Sequence, residues 1–166
     1  MEDKDRVQFR TAKGKIIPDL VGYLKDYMKD KYHNYGIYIG CDSKVRGSKL
    51  MYITVICIHK PGSGIHIIHK KNFQPLTKSI HTKIWWEVEY ALETATYLRD
   101  NGVLENENLT FVHLDISTNK KFKSNVLLES AVGYITSYGF NCVVKPDSWA
   151  ATHAADKLVR IEKPKN

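Results

Sequence analysis

Three β-like runs follow one another between Gly36 and Lys71, and past Pro75 the apolar period changes to that of a helix. The first run is Gly36-Ile37-Tyr38-Ile39-Gly40-Cys41-Asp42, the second spans Leu50 to His59, and the third spans Ile65 to Lys71. All three are rich in β-branched and aromatic side chains, which pack well on a pleated surface. Gly47-Ser48 separates the first two runs, and Pro61-Gly62-Ser63-Gly64 separates the last two. Links this short join antiparallel neighbours, so the segment predicts a three-stranded meander.

Beyond Pro75, Ile84, Trp85, Val88, Ala91, Leu92, Ala95 and Leu98 share one helical stripe, which predicts a long helix from Ser79 to Asp100. Asn101-Gly102 supplies its stop. Leu109 to Asp115 reads as a fourth strand, Phe122 to Tyr138 as a helix ending at Gly139, and Phe140 to Val144 as a fifth strand. Asp147 or Ser148 is placed to cap a final helix from Trp149 to Arg160. Upstream, Ile17, Leu20, Val21, Leu24, Tyr27 and Met28 predict an amphipathic helix over Ile16 to Lys31, with Pro18 in its first turn. Residues 1–14 read as a polar lead-in. The order α-βββ-αβαβα implies one α/β domain over residues 1–166, with a mixed five-stranded sheet flanked by helices.

No apolar run approaches the roughly 18 residues a membrane span needs. The charged start, Met1 to Arg6, leads into no apolar stretch, so no secretory signal is expected. Cys41, Cys57 and Cys142 are odd in number, and no pair has CxxC spacing, so a reduced, cytoplasmic setting is expected. His66 and His69 point to opposite faces of a strand and make poor joint metal ligands. No P-loop or GxGxxG pattern is present, so no nucleotide cofactor is expected. The net charge of +7 favours polyanionic partners.

Within this basic chain, Asp42 and Asp115 each close an otherwise apolar strand, and ligands of open α/β sheets gather at strand ends. The long helix offers Glu87 and Glu89 at opposite edges of its stripe, and helical position does not choose between them. The last helix offers Asp156 after small residues that permit close approach to the sheet.

Four segments in order carry a family resemblance: Ile39-Gly40-Cys41-Asp42-Ser43, Lys83-Ile84-Trp85-Trp86-Glu87, His113-Leu114-Asp115-Ile116, and Lys145-Pro146-Asp147-Ser148-Trp149 continuing to Ala155-Asp156-Lys157. Through them the chain resembles the RNase H-like, YkuK-type bacterial family over nearly its whole length. The resemblance implies an RNase H-like core, βββαβαβα, preceded by an extra helix. It also implies an acidic site of Asp42, Glu87, Asp115 and Asp156, which selects Glu87 over Glu89. Cys41 and Lys44 stand where members often carry Thr and Gln, and Trp149-Ala150-Ala151 where Tyr-Gly-Ala is usual. None of these departures removes a carboxylate.

Hard oxygen ligands select Mg²⁺ or Mn²⁺ over Zn²⁺. The family's implied chemistry is hydrolysis of a phosphodiester in RNA, DNA or a hybrid, with two metal ions roughly 3.5–4 Å apart. Asp42 would bridge both ions, Glu87 and Asp115 would serve the leaving-group side, and Asp156 the nucleophile side. Ser43, Lys44 and Arg46, leaving directly from Asp42, are candidates to grip the substrate backbone, as are Lys145 and Ser148. His153 and Asp147 are auxiliary candidates. The competing expectations are a catalytically silent nucleic-acid-binding module of the same fold and a protein-interaction domain whose acids only cap turns.

Overall fold

The structure, a computed structural model, describes residues 8–30, 34–104 and 110–154. In chain order the strands are β1 (Arg10–Thr11), β2 (Gly36–Arg46), β3 (Lys49–Lys60), β4 (Gly64–Pro75), β5 (Thr110–Ser117) and β6 (Asn141–Lys145). The helices are α1 (Leu20–Tyr27), α2 (Ile80–Asp100) and α3 (Leu128–Ser137). A 3₁₀ turn, Lys123–Leu127, leads into α3, and a π-helical turn, Ala150–Ala154, follows β6.

The predicted meander is present. β2 pairs antiparallel with β3 from Gly36↔His59 to Arg46↔Lys49, and β3 pairs with β4 from Lys49↔Pro75 to Lys60↔Gly64. The β2–β3 turn needs a residue in the left-handed region, and Gly47 takes it at φ +58°. Two crossovers follow, through α2 and α3, so β5 lies parallel to β2 and β6 lies parallel to β5. The sheet order is β1-β4-β3-β2-β5-β6.

Alternation along the strands sorts their side chains to two faces. On one face Ile37, Ile39 and Cys41 of β2 and Val112, Leu114 and Ile116 of β5 meet Val88, Ala91, Leu92 and Ala95 of α2. On the other, Met51, Ile53, Val55 and Cys57 of β3 pack with Ala150, Ala154, Tyr38 and Trp149. Among the described residues no helix is long and apolar enough to cross a membrane.

Four expectations need correction. The sheet has six strands, because Arg10 and Thr11 leave the expected lead-in to pair with His69 and Ile68 on the β4 edge. The N-terminal helix is shorter than Ile16 to Lys31. The Ile17 amide bonds Phe9 and Ile16 bridges Arg10, which holds this stretch extended, and Pro18 precedes the cap instead of entering the helix. Asp42 does not close β2, which continues to Arg46, and Asp115 does not close β5, which continues to Ser117. The segment Lys44 to Lys49 is therefore the end of a hairpin. The final helix is described only as far as Ala154, so Asp156 lies outside the described residues.

Asp19 starts α1 by accepting from the Gly22 amide at 2.9 Å, and a Cβ at Gly22 would collide with that carboxylate. Loss of an N-cap acceptor typically costs about 1 kcal/mol. Asp19→Ala is therefore expected to lower stability by about that amount in urea denaturation, with an unchanged slope; no shift in midpoint would contradict the cap.

Candidate active site

β2 and β5 pair from Ile37↔Thr110 to Gly40↔His113. Asp42 and Asp115 each lie two residues beyond the last pair, so they hold equivalent positions on neighbouring parallel strands, spaced about 4.8 Å where they pair. Val112, Leu114 and Ile116 all enter the α2-side core, so Asp115 faces the other way, as His113 and Phe111 do. Asp42 shares that face through Tyr38, whose ring stacks on Phe111 at 5.4 Å and meets Trp149 at 4.8 Å. β2 is also where the sheet changes from antiparallel to parallel neighbours, the kind of position at which open sheets bind ligands.

Each carboxylate has an identifiable partner. Asp42 Oδ1 accepts from the Ser43 amide at 2.8 Å. Asp115 Oδ1 pairs with Lys145 Nζ at 2.5 Å, and the Asp115 side chain is 23% exposed. Glu87 reaches the site from the α2 side and is buried. Its Oε1 accepts from the Ser43 hydroxyl at 2.5 Å. Burial pushes its carboxyl up to about 8, and the charges of Asp42 and Asp115 add to the rise. The Ser43 hydrogen bond and the Lys83 ammonium, one turn earlier on α2, act in the opposite direction. The effect of the Asp42 and Asp115 charges on Glu87 records its proximity to them.

The donor set is all oxygen, which suits a hard divalent cation. The fit is partial. Asp42 and Asp115 share one face at matched strand positions, whereas Glu87 is turned to Ser43. Among the described residues no three His, Cys, Asp or Glu side chains converge as a metal site.

The remaining candidates divide. Lys44 is exposed and Arg46 half-buried on the outer part of β2, and His153 and Asp147 are exposed. Lys145 is held by Asp115. Ser43 and Ser148 are buried at 8% and 0% exposure, so as described neither presents a surface contact for a substrate. The role of Ser43 as the holder of Glu87 was not anticipated from sequence, although positions 37, 39, 41 and 43 alternate onto one face. Cys41 is excluded as a nucleophile: it is buried, and burial followed by the Glu87 charge keeps its thiol far above the usual range.

His113 is buried at 2% exposure and tightly placed. Its Nδ1 accepts from the Ala150 amide at 3.1 Å, which puts the ring proton on Nε2 and fixes the start of the π-helical turn. Burial lowers its pKa from 6.5 to about 4. The unfolded chain therefore binds the extra proton first, and stability present above pH 6.5 is lost as pH falls toward 4. His113→Asn, which keeps an acceptor near Nδ1, is expected to flatten this acid limb, worth on the order of 2–3 kcal/mol. Denaturation midpoints from pH 7 to 4 check it; parallel curves for the two proteins would contradict it.

Comparison with known proteins agrees with this architecture. A family profile described as Ribonuclease H-like matches residues 19–160. The chain is also 32% identical over 157 residues to the "Uncharacterized protein YkuK" of Bacillus subtilis (strain 168), covering 86% of this chain and 90% of that protein. No solved structure matches. The meander, the two parallel crossovers and the near-complete span of these matches lead to one assignment: the chain belongs to the ribonuclease H-like family.

Proposed function

We propose that the protein is a divalent-metal-dependent phosphodiesterase acting on nucleic acid, with Asp42 and Asp115 as its central metal-binding pair. The observation that carries this reading is their matched placement on adjacent parallel strands, with buried Glu87 close enough for their charges to raise its proton affinity. Glu87, held by Ser43, would be the third carboxylate to face such an ion. Asp156 completes the set by resemblance. A bound Mg²⁺ or Mn²⁺ supplies a water of lowered pKa and positive charge at the leaving oxygen.

The chain's own residues prepare the ground. Ser43 fixes Glu87 and, through its amide, Asp42. Lys145 neutralises Asp115 and stands beside the pair as a cation for a phosphate oxygen. Lys44 and Arg46 continue the positive charge along β2, where they meet the backbone of a polyanion and not its bases.

A second reading is a nucleic-acid-binding module without turnover. It is favoured by the two contacts that already occupy the acids, Lys145 on Asp115 and Ser43 on Glu87. One experiment separates the two: incubation with RNA, DNA, hybrid and branched substrates in Mg²⁺ or Mn²⁺. Cleavage that stops with EDTA supports the first reading. Gel-shift binding without cleavage supports the second. Neither binding nor cleavage of any substrate would overturn both.

A further inference from the structure

β5 ends at Ser117, two residues past Asp115, and Ser117 stands directly opposite Lys145, the lysine that grips Asp115. From here the chain turns through a loop whose shape is fixed by its own hydrogen bonds. The Ser117 hydroxyl accepts from the Asn119 amide at 3.0 Å, and the Asn119 side chain accepts from the Lys121 amide at 3.0 Å. The Phe122 amide donates to the Asn119 carbonyl at 3.1 Å, and Asn125 Nδ2 donates back to the Ser117 carbonyl at 3.0 Å. The 3₁₀ turn that follows packs against β5 and α2.

The loop presents cations around an apolar ring. Lys120, Lys121, Phe122 and Lys123 are all exposed, Phe122 at 59%, and Val126 on the next turn is also exposed. No Asp or Glu lies between Asp115 and Glu129, so no acid within the segment offsets these charges. Five residues span at most about 18 Å, so Lys120 stays within that distance of Asp115. On the β5 side the loop thus continues the positive charge that Lys145 begins, as Lys44 and Arg46 do on the β2 side.

A solvated lysine run has no use for a phenylalanine at its centre, and Phe122 belongs to neither apolar cluster of the core. Lysines meet phosphates, and an exposed ring offers a base a flat surface to stack on. An unpaired base can take that surface, whereas the bases of a duplex are already stacked and paired. Because the loop is shaped in advance, binding has little ordering left to do.

We propose that the Lys120–Lys123 loop is a docking site for single-stranded nucleic acid, in which Phe122 stacks on an unpaired base and the flanking lysines hold phosphates. The strand so held runs on toward Asp115 and Asp42. The proposal names the substrate class of the phosphodiesterase reading and rests on its nucleic-acid partner, but it concerns binding and needs neither metal nor turnover.

The test uses the full chain in EDTA and follows fluorescence anisotropy of a short labelled single strand, and of the duplex of the same sequence, over a range of salt concentrations. Phe122→Leu keeps an apolar side chain without a π-face and is expected to weaken single-strand binding about five- to a hundredfold. Phe122→Tyr keeps the ring and binds as the wild type does, and neither variant changes duplex binding. Alanine at Lys120, Lys121 and Lys123 together is expected to flatten the slope of log affinity against log salt by about two for the single strand. Alanine at Lys13, Lys15 and Lys25, exposed around β1 and α1, is the matched control and leaves the slope in place. Melting curves, expected to coincide, show that each variant is folded.

Phe122→Leu binding the single strand like the wild type, or losing the duplex equally, overturns the proposal. So do equal slope changes in the two lysine triples, or a wild type that binds no single strand. Mn²⁺ is then added and cleavage scored. Weakened binding in the loop variants of a protein that cleaves nothing leaves the docking site standing and removes the phosphodiesterase reading. Cleavage by a wild type whose binding the loop variants leave unchanged does the reverse.

Discussion

Asp42→Asn is expected to leave the fold intact and to lower metal-dependent strand scission by about a thousandfold or more. The asparagine side-chain oxygen can still accept from the Ser43 amide, the contact Asp42 makes at 2.8 Å, so local geometry survives. What disappears is the negative charge at the position shared with Asp115 across the β2–β5 pair. A metal ligand at a reacting phosphate contributes several kcal/mol of charge stabilisation, and about 4 kcal/mol corresponds to a factor of a thousand. The check is single-turnover cleavage at saturating Mg²⁺ or Mn²⁺, beside a melting curve for each protein. A mutant that cleaves at the wild-type rate would place the chemistry elsewhere.

Glu87→Gln is expected to split stability from activity. The Glu87 carboxyl titrates near 8 in the folded protein against an ordinary 4.5. The folded state therefore binds its proton more tightly than the unfolded one. That stability is fully present below pH 4.5 and is lost as pH rises through 8. Glutamine does not titrate and keeps an acceptor for Ser43. The variant should thus gain on the wild type progressively between these limits, reaching on the order of 3–5 kcal/mol at alkaline pH. Cleavage in the same variant should fall by two to three orders of magnitude, about what loss of one catalytic contact brings. Denaturation at pH 5, 7 and 9 reads the first effect. Identical pH profiles would mean that the carboxyl is already ionised and hydrated. His113 acts at the other limb, so stability is eroded from both the acid and the alkaline side.

Much of the architecture was legible because period and turns are written locally. The glycine-bearing links at Gly47 and at Gly62 to Gly64 announced the meander, and the change of period after Pro75 announced α2. The strand ends were less legible for a physical reason. Past Gly40, β2 loses β5 as a neighbour, so Ser43 to Arg46 gain the polar character of an edge although their pairing with β3 continues. β1 was missed because two residues carry no periodicity.

The acids were singled out by strand position and resemblance, and Asp42 and Asp115 hold matched positions on paired strands. What sequence did not reveal was how each is held. Ser43 was read as a substrate contact because it follows Asp42, yet alternation turns it inward to Glu87. Lys145 is far from Asp115 in sequence and meets it only because β6 lies beside β5.

Glu87 sits in the early turns of α2, and the last turn of that helix is pinned elsewhere. Arg99 donates to the Tyr138 carbonyl and lies 4.6 Å over the Phe140 ring, just ahead of β6. β6 ends at Lys145, which grips Asp115. A rod of 21 residues, about 30 Å long, thus closes a mechanical circuit in which one acid rides the lever and another is tethered to the strand at its fulcrum. Loosening that fulcrum would slacken Glu87 and Asp115 together, although neither touches it.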